Sequence, residues 1–120
     1  AACGVKVQMT ELDLNMLPNP KSFGGAEISQ HYQYNKEYNP YVKGLDKKAQ
    51  KVFDSRYLEL FDIYRRHAAQ IERVTLWGVT DGTSWLNNWP IPGRTNYPLL
   101  FDREGKAKKV VKEIVNMYKE

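Results

Sequence analysis

Only three residues, 70–72, separate the end of an amphipathic helix from the next apolar strand. That short return limits what the chain can become. A helix that gives way so quickly to a strand must run back along the sheet and pack against it. The helix is predicted over 46–69, with Asp46 as its N-cap. Its apolar residues, Ala49, Val52, Phe53, Tyr57, Leu60, Phe61, Tyr64 and Ala68, recur at spacings of three and four. Strands are predicted over 5–12 and 73–80, and a last helix over 106–118 that buries Ala107, Val110, Val111, Ile114 and Tyr118. Residues 1–4 read as the end of a preceding helix closed by Gly4.

The order is therefore strand, loop, helix, twice over. Parallel strands joined by crossover helices follow from it, an α/β class that includes doubly wound sheets and (β/α) barrels. Both long loops, 15–45 and 81–105, follow strand C-terminal ends, while the opposite face has the tight return. Barrels place their chemistry on the loops after the strands and keep the other face compact. Yet a barrel needs eight strands in about 250 residues, and this chain of 120 residues supplies two.

Composition narrows the function classes. With 42% hydrophobic and 27% charged residues, disorder does not describe the whole chain. The net charge of +4 comes largely from Lys47, Lys48 and Lys51 on one helix and Lys106, Lys108, Lys109 and Lys112 on the other. These stand among acidic residues and read as solvated helix faces, so nucleic acid is not the expected partner. Cys3 is the only cysteine, which leaves no internal disulfide and no cysteine-based zinc site; neither a metal nor a cofactor is expected. No apolar run approaches the roughly 18 residues of a membrane span. The chain opens on Ala-Ala-Cys-Gly, with neither an initiator Met nor a signal peptide, and its beginning is expected to be cut.

The candidate site residues lie at the strand ends. Glu11 and Asp13 close the first strand, Trp77 nears the end of the second, and Trp85 follows in the Asp-Gly-Thr-Ser turn. Flat indole faces beside carboxylates suit a sugar ring, whose axial C–H bonds stack on them. Asp13 lies two residues beyond Glu11, on the same side if the strand continues, or else opens the loop as an Asx turn. Asn87, Asn88, Trp89 and Arg94 either reach further subsites or shape the second loop. Tyr32, Tyr34, Tyr38 and Tyr41, with Tyr57 beyond them, mark the first loop as packed or ligand-facing. Strict alternation conflicts with the Glu11 assignment. It would turn Lys6 and Gln8 towards the helices, at a desolvation cost. A bulge or a strong twist before Glu11, or Lys6 lying in water at the bottom edge, would each remove the conflict.

At this point the residues resemble a known family. Thr10-Glu11-Leu12-Asp13, Trp77-Gly78-Val79-Thr80-Asp81 with Ser84-Trp85, and Asn96-Tyr97-Pro98-Leu99-Leu100-Phe101-Asp102 are together similar to family 10 glycoside hydrolases, the endo-β-1,4-xylanases. The resemblance runs through the whole chain in order. It implies a (β/α)8 TIM barrel of which residues 1–120 form the C-terminal part of one catalytic domain, its seventh and eighth strand–helix units. It also implies a retaining hydrolase of internal β-1,4-xylosidic bonds, with Glu11 as nucleophile, Asp13 in the hydrogen-bonded group that supports it, and Trp77 and Trp85 lining the substrate.

In this family the acid/base glutamate lies on the fourth strand, and no counterpart occurs here; His31 and His67 belong to no family motif. The expected partners are xylan or xylo-oligosaccharides and the remaining N-terminal part of the barrel. The chain by itself is expected to be inactive. A non-catalytic carbohydrate-binding module or an inert barrel fragment is the alternative reading. The resemblance further implies a secreted or extracytoplasmic protein.

Overall fold

The computed structural model describes residues 2–19 and 36–119. Its main elements are β1 (Val7–Leu12), α1 (Lys47–Arg66), β2 (Ile71–Leu76) and α2 (Lys109–Met117), with short 3-10 turns at Asp81–Thr83 and Trp85–Asn87. β1 and β2 are hydrogen-bonded neighbours and run parallel. The chain leaves α1 through a turn over 67–70 and enters β2 at Ile71, as the short return required. Both strands are shorter than predicted. Residues 5–6 precede the first, and beyond Leu76 only Thr80 returns to a bridge, pairing with Phe101.

α1 forms where its capping chemistry allows. The Asp46 carboxylate accepts a hydrogen bond from Ala49 N at 2.7 Å, satisfying an otherwise unpaired donor of the first turn. Arg65 and Arg66 in the last turn complement the helix dipole. Phe53 and Tyr57 are wholly buried and pack with Leu100, Val110 and Ile114, while Leu12, Leu76 and Phe101 reach the cluster from the strand side. The predicted stripe is too wide at two positions: Val52 is 52% exposed, and Ala68 lies exposed in the turn after the helix.

α2 starts three residues later than predicted, at Lys109 rather than Lys106. The intervening residues are held in a tight turn instead. Phe101 bridges antiparallel to Ala107, and Asp102 Oδ1 accepts from the backbone N of Glu104 and Lys106. Ala107 is exposed in consequence. Tyr118, half exposed just past the helix, sets its ring edge-on to Phe61 at 6.5 Å rather than entering the core.

The conflict over alternation is resolved by a bulge. Met9 pairs with Val74 and Leu12 with Leu76, so β1 uses one residue more than β2 over this interval. Gln8 lies exposed rather than buried under the helices, while Leu12, beyond the bulge, packs against the helix-side cluster and Glu11 is exposed. Lys6 is exposed too, and its Nζ donates to Ala69 O at 2.7 Å, at the foot of the sheet.

A buried ion pair holds the segment after β2. The Asp81 side chain is 1% exposed and that of Lys108 12%, and their charged atoms meet at 2.8 Å in a close contact rather than an aligned hydrogen bond. Asp81 Oδ1 accepts from Leu99 N, and the Lys108 ammonium lies 4.1 Å from the centre of the Phe53 ring. Burial pushes the Asp81 carboxyl above its ordinary range and the Lys108 amine below its own, against their mutual attraction.

The fold is longer than it is wide, with principal extents of 49 × 33 × 22 Å. Val5, Val7 and Val79, in and beside the strands, are exposed. Among the described residues no helix is long and apolar enough to cross a membrane.

Two stability measurements follow. A Cβ at Gly78 would stand 2.8 Å from Leu99 Cδ1, at φ +137°, whereas Gly44 (φ +128°) has nothing within 4 Å. Gly44→Ala therefore carries backbone strain alone, about 1–3 kcal/mol, and Gly78→Ala that strain plus a clash. Denaturant unfolding of the full-length protein should rank Gly78→Ala as the less stable; equal losses would refute the close approach. Asp81→Asn should cost about 3–5 kcal/mol at neutral pH, because Lys108 is left charged, buried and unpaired. With its folded-state pKa depressed, Lys108 penalises folding less as pH rises towards the ordinary lysine value, so the deficit should shrink in that direction. A variant as stable as the parent at neutral pH would contradict the role of the pair.

Candidate active site

Glu11 occupies the bulge at the end of β1 with φ +59°, a left-handed conformation uncommon for a residue with a Cβ. Bulges of this kind re-aim a side chain at a strand end. The next residue, Leu12, accepts from Trp77 N at 2.9 Å, so the indole-bearing residue after β2 sits directly across from the carboxylate-bearing end of β1. Trp77 is 48% exposed. Parallel pairing is the cause: it brings both C-terminal strand ends to one rim, and with them Glu11, Asp13 and Trp77.

Asp13 lies just beyond β1 and is half-buried. Its Oδ2 accepts from Trp85 Nε1 at 2.7 Å, tying the rim to the loop after β2. Trp85 opens the 3-10 turn Trp85–Asn87, which Ser84 caps through its hydroxyl on Leu86 N. The Trp85 ring stacks on Trp89, with centroids 4.9 Å apart and planes at 29°. The sequence pointed to both tryptophans but held no signal for these two contacts.

The other loop candidates are committed to the scaffold. Asn87 is buried; its amide donates to Asp81 O and Ser84 O, and its Oδ1 accepts from Asn96 N and the Arg103 guanidinium. Arg94 is 3% exposed and reaches Pro18 O, Tyr38 O and Asn19 Oδ1. Asn88, though exposed, closes its loop by accepting from Gly93 N. These three shape the loop, and the physical reason is the same for each: a polar backbone folded over itself needs side-chain partners. Among the tyrosines, Tyr57 belongs to the helix core and Tyr41 accepts at its carbonyl from Tyr97 OH. Tyr32, Tyr34 and His31 lie outside the described residues.

Sequence reasoning missed the residue that joins the two loops. Asn96 is wholly buried; its Oδ1 accepts from Met16 N and Tyr97 N, and its amide donates to Asn15 Oδ1 and, more weakly, to Leu86 O. Pro98 O takes a further pair of donors, Leu14 N and the Tyr57 hydroxyl. Burial, with the Asp13 and Asp81 charges nearby, holds that hydroxyl well above the usual tyrosine range, so it stays a donor. Asparagines in a loop rich in Pro and Gly read as turn formers, and nothing in their spacing distinguishes a cross-tie.

A cleft of ≈ 780 Å³ opens elsewhere, between the start of α1 and the turn before α2, lined among others by Leu45, Gln50, Asp54, Tyr97 and Arg103. None of the rim residues lines it. The rim itself offers an exposed carboxylate, a second carboxylate fixed by an indole N–H, and exposed indole faces. Chemically, that set can hold a pyranose ring by stacking and present an anion to it.

Comparison with known proteins bears on what this rim is. The family model described as glycosyl hydrolase family 10 matches residues 1–117. The chain is 69% identical over 117 residues to an endo-1,4-beta-xylanase A of Xylanibacter ruminicola, covering 98% of this chain and 32% of that protein. It is 38% identical over 118 residues to a beta-1,4-xylanase of Dictyoglomus thermophilum, 96% of this chain and 28% of the relative. Among solved structures, a GH10 endoxylanase retrieved from a sugarcane soil metagenome superposes with a TM-score of 0.83 at 44% identity, over 97% of this chain and 34% of its own. A second, described as a complex with xylotriose, gives 0.71 at 28% identity, over 96% and 30%. The chain thus spans about a third of the length of the relatives it matches. With the family model matching nearly every residue and the fold superposing on its solved members, this chain belongs to glycosyl hydrolase family 10.

Proposed function

We propose that this chain supplies the nucleophile side of a retaining xylanase site and works within a complete barrel, as its seventh and eighth strand–helix units. The observation that carries the reading is the placement of Glu11 on the same rim as Trp77, on adjacent parallel strands, with Asp13 fixed by Trp85. The substrate is xylan or xylo-oligosaccharide, cleaved at internal β-1,4-xylosidic bonds.

In this reading a xylose ring stacks on the exposed indoles of Trp77 and Trp85, with its anomeric carbon towards Glu11. A Glu11 carboxylate oxygen attacks that carbon while the glycosidic C–O bond breaks. A carboxylic acid about 5–5.5 Å away protonates the leaving oxygen. The resulting glycosyl ester is hydrolysed when water attacks the same carbon, giving its proton to the now ionised partner and freeing Glu11. The bulge serves this chemistry by freeing Glu11 from the strand's alternation. The acid/base carboxylate and the remaining sugar-binding residues come from the N-terminal part of the barrel.

The reading has a direct test. In the full-length protein, Glu11→Ala should lower turnover of xylo-oligosaccharides about 10³-fold or more, the scale seen when a covalent nucleophile is removed. Azide or formate should partly restore cleavage of an activated aryl xyloside by attacking from the vacated side. Near-parental turnover by the Ala variant would move the nucleophile elsewhere.

A second test concerns the 120-residue chain alone. Without a proton donor for the leaving oxygen, a contribution of about 10²–10⁴-fold is lost. Two unpaired strand edges and exposed apolar residues favour association. The expected outcome is no measurable release of sugar from xylan, with aggregated or oligomeric species on sizing. A monomer that cleaves xylan at ordinary rates would overturn the proposal.

A further inference from the structure

We propose that Trp89 is a positioning residue for Trp85: its stacked ring holds the Trp85 indole so that Nε1–H stays on Asp13. The geometry is local and built into the loop. Trp89 N and Asn88 N both donate to Trp85 O, at 3.1 and 3.0 Å, closing one turn of chain that sets the two rings side by side. Leu86 and Ile91, 5% and 2% exposed, anchor the segment on either side of Trp89. Asn88 Oδ1 pins its far end to Gly93 N. Trp89 itself is 58% exposed and contributes nothing to the core.

Trp85 is 44% exposed, and its indole would turn freely on such a surface unless something fixed it. Two contacts oppose that motion: the 2.7 Å hydrogen bond to Asp13 on one side and the stacked Trp89 ring at 4.9 Å on the other. Asp13 follows Glu11 by two residues, so a Trp85 that swings away also releases a carboxylate next to the proposed nucleophile. A rigid partner ring stacked off-centre is well suited to this task, because offset aromatic pairs resist tilting and sliding. Trp89 thereby acts through Trp85, without touching the sugar ring at the cleavage point. The catalytic part of this proposal rests on the reading of Glu11 given above; the structural part does not.

The test uses the full-length protein and two independent readouts. In ¹H–¹⁵N spectra the Trp85 indole N–H signal, assigned with Trp85→Phe, should move and exchange faster with water in Trp89→Ala and Trp89→Leu. Trp89→Phe, which keeps a ring, should restore it. In kinetics the Ala and Leu variants should lower kcat/KM on short and long xylo-oligosaccharides alike about 2- to 10-fold, the range set by loss of an aromatic pair, with Phe again close to the parent. An indole signal unchanged in both variants would overturn the proposal. So would a rise in KM for long substrates alone, the mark of a free-standing sugar platform. If Glu11→Ala kept its activity while the indole responses held, the nucleophile assignment would fail and the positioning role would stand.

Discussion

One buried amide holds the rim at the strand ends together. Asn96, with no exposed surface, spans the two loops that follow β1 and β2, and each of its polar atoms has a partner in one or both. The constraint behind it is general. A loop that crosses a domain rim carries backbone N–H and C=O groups that neither strand nor helix satisfies, and burying them unpaired is costly. Here the two loops satisfy each other. Met16 N finds Asn96, Asn96 N finds Asn87, Leu14 N finds Pro98 O, and the Tyr57 hydroxyl arrives from α1 at the same carbonyl. Every element that carries a site residue is joined to this network within a few residues.

The network also separates scaffold from surface in the loop after β2. The side chains of Asn87, Arg94 and Arg103 hydrogen-bond mainly to loop backbone, and Arg103 also to Asn87, while Arg94 Nε is buried without a partner among the described residues. Trp77, Trp85 and Trp89, by contrast, keep exposed ring surface. An aromatic on a mobile loop would lose much of its binding value to ordering entropy. Fixed by capped turns, buried Leu86 and Ile91, and the Asp81–Lys108 pair, these rings are presented already ordered. The ion pair illustrates the same economy of position: burial works against both charges, yet removing either would strand the other.

Much of the fold was legible in the residues. The three-and-four spacing of Phe53, Tyr57, Phe61 and Tyr64, with Asp46 ahead of it, specified α1 to within a few residues, because helix periodicity and capping are local. The parallel pairing of β1 and β2 followed from a return too short for any other connection. The starts and ends of elements were less well read. α2 lost its first predicted turn to a tight turn held by the Asp102 carboxylate and the Phe101–Ala107 bridge, tertiary contacts that propensity does not record. Val52 and Tyr118 sit on helix faces by spacing yet remain exposed, since what a face meets depends on neighbours far along the chain.

The sequence by itself determined the class of the fold, the family, and the residue types at the strand ends: a glutamate and an aspartate on one, tryptophans on and after the other. These depend on local periodicity and on motifs written contiguously. Only the tertiary structure decided how the residues are aimed and held. The bulge that frees Glu11 from alternation arises from the register of β1 against β2, a relation between segments more than sixty residues apart. The hydrogen bond from Trp85 to Asp13 and the cross-tie through Asn96 likewise join positions 72 and 80 or 81 residues distant. No local pattern encodes such a contact, because it exists only once parallel pairing has brought both loops to one rim.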